Sequence, residues 1–293
     1  MKKITNALAR NKWAIELNTG LNFYPRAHML LTGQRASFFD SENTEPEPTA
    51  FIIGAAGAGK QPFTNGLKAA SGAIGLLEIS GALVKDSDHE CGVVGTMEMA
   101  DQVKAMAASG VSAILISIDS PGGQVDGTVT LVDAIKNAGV PTVAVVNDGM
   151  ACSAGYWIAS AADKVYATHP TSEVGSIGVY ATLADFSKYY EEMGVRVEDV
   201  YAEQSTEKNN GYRDWKDGNA ETFRERLSSV ASEFIDTVKA NRAGKLNTKT
   251  TDPFKGAVYG AKEALAIGLI DGIKSMDSVL AELTTEKLTI NFR

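Results

Sequence analysis

The chain contains 293 residues, of which 44% are hydrophobic and 22% are charged, and its formal net charge is −8. These values are typical of a globular protein with one large or two small domains, and the negative charge argues against a nucleic-acid-binding protein. Two cysteines are too few for a disulfide framework, so we expect a reducing compartment such as the cytoplasm.

Residues 1–71 are predicted to form an N-terminal arm and a flexible linker. Charged residues interrupt the basic start of the chain, so we expect neither a signal peptide nor a membrane anchor there. Residues 41–50 are acidic and contain prolines, and residues 54–75 are rich in Gly, Ala and Ser; both compositions are typical of loops. No segment reaches the roughly 18 uninterrupted apolar residues of a membrane span, so we expect no membrane insertion.

The stretch GAAGAGKQ, residues 54–61, is similar to a phosphate-binding loop. Such a loop needs Ser or Thr directly after its lysine to hold magnesium, and a helix whose N-terminus faces the phosphates. Gln61 and Pro62 follow Lys60 instead. The stretch is therefore interpreted as part of the linker, and we expect no cofactor and no metal.

From residue 74 onward, apolar strands alternate with helices. The predicted strands are residues 74–81, 111–119, 141–147 and 164–168, and the predicted helices are residues 95–110, 125–139 and 153–163. One face of the second helix would carry Val125, Val129, Val132 and Ile135, and a later, long amphipathic helix would contain Phe223, Leu227, Val230, Phe234 and Val238. Residues 260–273 predict a helix, a turn and a closing strand. The pattern indicates a buried, largely parallel sheet covered by helices, and hence the α/β class.

Two junctions between predicted strands and helices carry candidate chemistry, because ligands of such sheets bind where strands end. At the first, Gly122 and Gly123 follow a buried strand, so they form either a tight turn or an oxyanion hole whose N–H groups face a ligand. At the second, Ser153 precedes a predicted helix, so its hydroxyl is either an N-cap or a nucleophile. The neighbouring thiol of Cys152 is an alternative nucleophile if it ionises.

Four segments resemble the signal peptide peptidase A family of serine peptidases. They are SPGG at residues 120–123, ACSAGYWIASAAD at 151–163, EVGSIGVY at 173–180 and AVYGAKEALAIGLIDG at 257–272. The likeness is greater to the phage head-maturation proteases, the capsid-processing branch of the family. It covers roughly residues 72–275, the expected peptidase domain, and leaves residues 276–293 as a C-terminal tail. The resemblance implies a ClpP/crotonase-like superhelix of ββα units and peptide hydrolysis by a Ser/Lys dyad.

The resemblance implies that Ser153 is the nucleophile and that Lys208 is the general base. Lys208 follows the segment VRVEDVYAEQ, residues 195–204, which is expected to be a strand. Ser205 stands where the family carries a glycine, and Lys216 is the second candidate for the base. The nearby Glu203 and Glu207 are expected to point away from the amine.

The resemblance also implies supporting roles. The hydroxyl of Ser176 would hydrogen-bond the lysine, and the amides of Gly123 and Ala154 would form the oxyanion hole, with Gly122 as the second choice for the first donor. The three histidines are expected to lie exposed or in loops, and they are His28, His89 and His169.

The expected substrates are peptides or proteins, among them capsid or scaffold proteins of a phage, cleaved in the bacterial cytoplasm or inside a prohead. Members of the family form ring-like homo-oligomers, and the polar loop that carries Lys208 contains Tyr212 and Trp215, which are typical of interface anchors. Three alternatives remain open: a bacterial peptidase of the same family that degrades peptides, a crotonase-type acyl-CoA enzyme, and an assembly factor without activity.

Overall fold

The computed structural model describes residues 48–54, 59–88, 93–183, 185–249 and 251–284, together with the backbone of residues 13–15. Cys91 lies outside the described residues. So do two of the three histidines with predicted positions, His28 and His89. His169 is exposed.

The strands are β1 Trp13–Ile15, β2 Ala50–Ile53, β3 Lys60–Pro62, β4 Ile74–Ser80, β5 Ala113–Ser120, β6 Gly122–Gln124, β7 Thr142–Cys152, β8 Lys164–Ala167, β9 Glu173–Gly175, β10 Val258–Gly260 and β11 Gly272–Ile273. The helices are α1 Thr96–Ala108, α2 Thr128–Lys136, α3 Ala154–Ser160, α4 Ser187–Glu192, α5 Asn210–Lys216, α6 Glu221–Asn241, α7 Ala261–Ala266 and α8 Met276–Thr284. A short 3₁₀ turn covers Pro253–Lys255.

Nine of these strands form one sheet in the order β10-β9-β7-β5-β4-β2-β3, and β8 and β11 extend it beside the first half of β7. The pairs β4–β5, β5–β7, β7–β8, β7–β9 and β8–β11 are parallel, whereas β2, β3 and β10 are antiparallel to their neighbours. The predicted α/β class, with a largely parallel sheet, is confirmed.

The central strands are apolar throughout because both faces of the sheet are covered. Successive side chains of a strand point to opposite faces. In β5, Ile114, Ile116 and Ile118 therefore pack with α1, α2 and α3, whereas Ala113 and Leu115 belong to a second cluster on the other face. The predicted elements between residues 74 and 168 are all present, with one difference in α2, where Val129 is exposed.

Ordered secondary structure extends beyond the predicted peptidase domain on both sides. β2 and β3 belong to the predicted linker, yet β2 pairs with β4 and β3 pairs with β2, and Ala50 and Ile52 are buried. α8 belongs to the predicted tail, yet it packs Val279 and Leu283 into the second cluster. A short apolar run such as residues 50–53 becomes a strand only when a distant strand pairs with it. Local composition does not show such a partner, and it therefore indicated a linker.

Lys60 has a structural role at the edge of the sheet. It lies in strand β3, so no helix follows it, and its ammonium pairs with Glu78 at 2.7 Å. The same ammonium lies 3.7 Å from the ring centre of Phe51. The lysine therefore supports an edge of the sheet.

A buried ion-pair network joins the end of α6 to the closing turn of the chain. The guanidinium of Arg242, which is fully buried, donates to the carboxylate of Asp271 at 2.7 Å and to the carbonyl oxygen of Gly268 at 2.9 and 3.1 Å. Lys245 pairs with the same carboxylate at 3.0 Å. Burial raises the pKa of Asp271, but the hydrogen bond and charge of Arg242 outweigh burial and hold that pKa below its usual value.

Arg242→Ala is expected to lower the free energy of unfolding by about 3 kcal/mol. The half-buried carboxylate of Asp271 would lose the charge and hydrogen bond of Arg242 and keep only its other partners. Since the folded pKa of Asp271 is depressed, its contribution is present above the unfolded pKa of about 4 and is lost as the pH falls through the folded value. Denaturant unfolding of wild type and variant at pH 7 and pH 3 would show a smaller difference at pH 3. Arg224→Ala, on the exposed side of α6, is the control and should change little. Equal unfolding midpoints for Arg242→Ala and wild type would contradict this assignment.

Candidate active site

Ser153 lies at a sharp turn between β7 and α3. Its backbone angles, φ 55° and ψ −121°, are rare for a residue with a side chain and cost on the order of 1–3 kcal/mol. Its hydroxyl does not cap α3, and within the described residues its one hydrogen bond is to the carbonyl oxygen of Gly178 at 3.4 Å. The predicted alternative of a capping serine is therefore wrong. A strained serine between a buried strand and a helix has the chain arrangement of a strand-to-helix nucleophile turn.

The end of β7 pairs with β9, and this pairing brings Ser153 and Ser176 side by side. Cys152 lies opposite Gly175 in parallel register, so the two serines occupy the next positions of the two chains. The N–H of Ser153 donates to the carbonyl oxygen of Gly175 at 2.7 Å. Ser176 also has a positive φ, 52°, and its N–H donates to the carbonyl oxygen of Ala257 at 2.7 Å. Two separate strand ends thus hold two strained serines together.

The glycine pair lies on β6, which contacts α3. Gly122 has φ 102°, and its N–H donates to the hydroxyl of Ser120 at 3.2 Å. A Cβ atom on Gly123 would lie 2.0 Å from the carbonyl oxygen of Leu83, so only glycine fits. The N–H of Gly122 bonds within its own turn, whereas the N–H of Gly123 points away from Leu83 to the other edge of β6, so Gly123 is the better placed of the two as a donor to a ligand.

The second predicted donor, the amide of Ala154, begins α3. The first N–H groups of a helix have no acceptor within the helix, and they carry part of the positive end of the helix dipole. An oxygen that develops negative charge beside Ser153 would therefore meet this amide at a favourable position.

Two supporting residues were missed by sequence reasoning, although both lie in the segment IDSPGG. The hydroxyl of Ser120 donates to the carbonyl oxygen of Gly81 at 2.7 Å while it accepts the N–H of Gly122. Asp119 accepts the N–H of Met150 at 3.1 Å, and a Cβ atom on Gly149 would lie 2.0 Å from its carboxylate. Together they tie the glycine turn to the end of β7.

Lys208 lies exposed in the turn that precedes α5, and its N–H donates to the carbonyl oxygen of Ser205 at 3.1 Å. Among the residues that the structure describes, no hydrogen bond or ion pair of its ammonium is found, and none joins it to Ser153. Glu203 and Glu207 are exposed as well, and Glu207 accepts from the side-chain amide of Asn210. The predicted dyad is therefore not assembled within this single chain.

The expected strand at residues 195–204 is wrong, because no strand forms there. Two of its apolar side chains are largely exposed: Val197 is 66% and Val200 is 86% exposed. Alternating apolar residues form a strand only when a neighbouring strand pairs with them, and none of the described strands lies beside this segment.

Lys216, the second candidate for the base, is already paired. Its ammonium donates to the hydroxyl of Ser187 at 2.8 Å and lies 3.8 Å from the carboxylate of Asp185. Hydrogen bonds from Ser187, with the charge of Lys216, hold the pKa of Asp185 below its usual range. Because this ammonium already contacts Ser187 and Asp185 beside α4, Lys216 is the poorer candidate for the base.

The predicted long loop around Lys208 ends in a helix, α5, which packs on the start of α6. Tyr212 and Trp215 are half-buried and contact each other, with 5.6 Å between ring centres. Gly211 is buried beside Thr222. Both aromatic side chains are thus partly buried in the single chain, and their role as interface anchors stays a prediction.

The sequence also matches a known family and several known proteins. Residues 134–289 match the model of peptidase family S49. The chain is 32% identical over 190 residues to the Na⁺/H⁺ antiporter NhaA of Brucella abortus, covering 64% of this chain and 26% of that protein. It is 30% identical over 213 residues to capsid assembly protease C of Escherichia phage lambda, covering 70% of this chain and 48% of that protein. The chain thus spans about a quarter to half of the length of these relatives.

Among solved structures, the chain is similar to the 1510-N membrane-bound stomatin-specific protease, with a TM-score of 0.40 and 17% identity. The alignment covers 75% of this chain and 86% of that one. Among the described residues, none of the helices is both long enough and apolar enough to cross a bilayer. The family model covers more than half of the chain and includes Ser153, Ser176 and Lys208. The chain belongs to peptidase family S49.

Proposed function

We propose that the protein is a serine endopeptidase in which Ser153 is the nucleophile and Lys208 is the general base. The observation that carries the proposal is the conformation of Ser153: a costly backbone geometry holds a hydroxyl that caps no helix, directly before the helix α3 that contacts the glycine strand β6. Strained backbone of this kind is concentrated at active sites, because folding alone gives no reason to retain it.

In the proposed reaction, the amine of Lys208 removes the proton of Ser153 while Oγ attacks the carbonyl carbon of the peptide bond. The N–H groups of Gly123 and Ala154 stabilise the oxyanion of the tetrahedral intermediate. The ammonium of Lys208 then donates its proton to the leaving amine, and an acyl-enzyme remains. Water, deprotonated by the same amine, hydrolyses that ester and restores Ser153.

Lys208 can act as a base only as a neutral amine, which burial favours because it removes the charged form from water. In the single chain Lys208 is exposed, so a further surface has to cover it. Ser176 supports the same step: it lies beside Ser153 in register, and its hydroxyl is proposed to orient the amine toward the nucleophile.

We propose that this further surface is a second copy of the chain in a ring-like homo-oligomer. The segment 186–200 exposes an unusual run of large apolar side chains, which are Phe186, Tyr189, Tyr190, Met193, Val195, Val197 and Val200. Contiguous exposed apolar side chains mark protein interfaces. The segment directly precedes the turn with Lys208, so a neighbour that covers it would also order that turn and bring Lys208 to the Ser153 of the adjacent subunit.

A mixture of Ser153→Ala and Lys208→Ala proteins is expected to recover activity that neither variant has alone. If each site takes Ser153 from one subunit and Lys208 from the next, a random equimolar oligomer contains about one quarter of functional sites, since half of the subunits supply each residue. The measurement is the rate of peptide cleavage after joint refolding, with native mass spectrometry as proof of mixed oligomers. No recovery in confirmed mixed oligomers would place both residues in one chain. A monomer that cleaves at the full rate would contradict the oligomer proposal.

The proposed substrates are scaffold or capsid proteins of a phage, cleaved in a bacterial cytoplasm or an assembling prohead. The support is the relative from phage lambda, whose name describes a capsid assembly protease, and the match covers 70% of this chain. An enzyme whose active sites are shared between subunits is inactive as a monomer, so its activity appears only when the local protein concentration is high enough for assembly. This property suits processing inside an assembling particle.

The substrate proposal is tested by intact mass measurement. Wild type, but not Ser153→Ala, should shorten the scaffold or capsid protein encoded beside its gene to defined products. Cleavage of unfolded peptides without cleavage of that protein would indicate the alternative of a peptide-degrading enzyme of the same family. No cleavage of any peptide, with no labelling of Ser153 by a fluorophosphonate, would contradict the peptidase proposal and favour an assembly factor. Binding of acyl-CoA would favour the crotonase-type alternative.

A further inference from the structure

β6, the strand of the two glycines, is paired in the structure with a segment of the N-terminal arm. β1, Trp13–Ile15, runs antiparallel to it, with Ala14 opposite Gly123. The two strands form a sheet of their own, separate from the nine-stranded sheet. The arm segment therefore lies along the glycine pair that supplies the proposed oxyanion hole.

The backbone of β6 shows what this edge offers to a partner. The carbonyl oxygen of Gly122 and the N–H of Gln124 both bond to the backbone of Leu83, so the N–H and carbonyl of Gly123 point to the opposite side, toward β1. The glycines carry no side chain that could select a partner sequence. Such an edge binds the extended main chain of a peptide by strand addition.

We infer that the segment Trp13–Ile15 is an intramolecular competitor of the peptide substrate, because it occupies the edge of β6 that an extended substrate needs in order to reach Ser153. This inference rests on the proposed peptidase function. Ser153 itself is 1% exposed, so a substrate reaches its hydroxyl only after a local rearrangement.

β1 pairs through only three residues, so a substrate peptide can displace it from β6. An isolated two-stranded sheet is marginally stable in water, so β1 does not hold the edge permanently. Its attachment to the same chain nevertheless gives it an effective concentration on the order of millimolar. Dilute peptides are therefore excluded, and the high substrate concentration of an assembling particle displaces the segment.

The test compares two substitutions of Ala14 in full-length protein that also carries Ser153→Ala, so that no probe is cleaved. Ala14→Pro removes the N–H that faces Gly123, whereas Ala14→Ser keeps it and is the matched control. The probe is a fluorescent peptide with the sequence of residues 9–20, ARNKWAIELNTG. Fluorescence anisotropy should show about three- to tenfold tighter binding to Ala14→Pro than to Ala14→Ser, because the competitor no longer closes the site.

Amide hydrogen exchange of residues 122–124 provides a readout that needs no peptidase activity. Exchange should be faster in Ala14→Pro than in Ala14→Ser, since the pairing with β1 protects the N–H of Gly123. Equal exchange and equal peptide affinity in both proteins would overturn the inference, even if wild type cleaves peptides. If exchange and peptide affinity differ as expected but wild type cleaves no peptide, the pairing of β1 with β6 is supported and the peptidase proposal is contradicted.

Discussion

Replacing Ser153 with alanine is expected to lower the rate of peptide cleavage by about four orders of magnitude or more, because the hydroxyl forms the new bond to the substrate. The fold should remain intact. The hydroxyl does not cap α3, and its one hydrogen bond to the described residues is 3.4 Å long, so its loss should cost at most about 1 kcal/mol. Peptide cleavage and denaturant unfolding of the same preparation measure both effects.

Ser153→Gly is the matched variant for the backbone. Glycine adopts φ 55° and ψ −121° without steric cost, although it gains freedom in the unfolded chain. Because the relief of strain in the folded protein outweighs that added freedom, we expect this variant to be as inactive as Ser153→Ala but more stable by about 1 kcal/mol. A glycine variant less stable than the alanine variant would show that the conformation is not strained.

Cys152→Ala is the control for the nucleophile. The side chain of Cys152 is buried at the end of β7, so its loss should affect packing while activity persists. Full activity in Ser153→Ala together with loss of activity in Cys152→Ala would assign the nucleophile to the thiol instead.

Lys208→Arg is expected to be as inactive as Lys208→Ala, with a decrease of about 10³-fold in kcat/KM. Arginine keeps the charge and the hydrogen-bonding capacity, but a guanidinium does not release its proton at working pH and so cannot act as a base. Stopped assays over a pH series should show that wild-type activity rises with pH, as the neutral amine becomes more populated.

Lys216→Ala is the matched control for Lys208. Lys216 holds Ser187 and Asp185 at the exposed edge of α4, so its loss should weaken that contact without removing a base. If Lys208→Arg keeps most of the activity while Lys216→Ala loses it, the general base is Lys216.

The regular part of the fold could be predicted from the sequence because its signals are local. Continuous apolar runs flanked by glycines mark β4, β5 and β7, the short run VYA marks β8, and apolar residues at helical spacing mark α1 and the long helix α6. The motif around Ser153 was also visible, since a small-residue turn between an apolar strand and a helix is encoded within a few neighbouring residues.

Elements that depend on distant partners could not be predicted. β2 and β3 are short, and they are strands only because β2 pairs with β4 and β3 pairs with β2. Residues 195–204 alternate apolar and polar residues, yet no described strand pairs with them and they form no part of a sheet. The signal that could have indicated α5 was the sequence NGYRDWK, whose aromatic residues lie three apart on one helical face.

By itself, the amino-acid sequence determined the α/β class, the family motifs and the identity of the candidate nucleophile, because each depends on residue order over short distances. Only the tertiary structure decided that Ser153 does not cap α3, that Ser176 lies beside it and that Gly122 is already bonded to Ser120. It also decided that Lys208 stands exposed and that Ala14 faces Gly123. These relations join residues that are far apart in the chain, and they arise from strand register and backbone hydrogen bonds, which the local pattern of side chains does not encode.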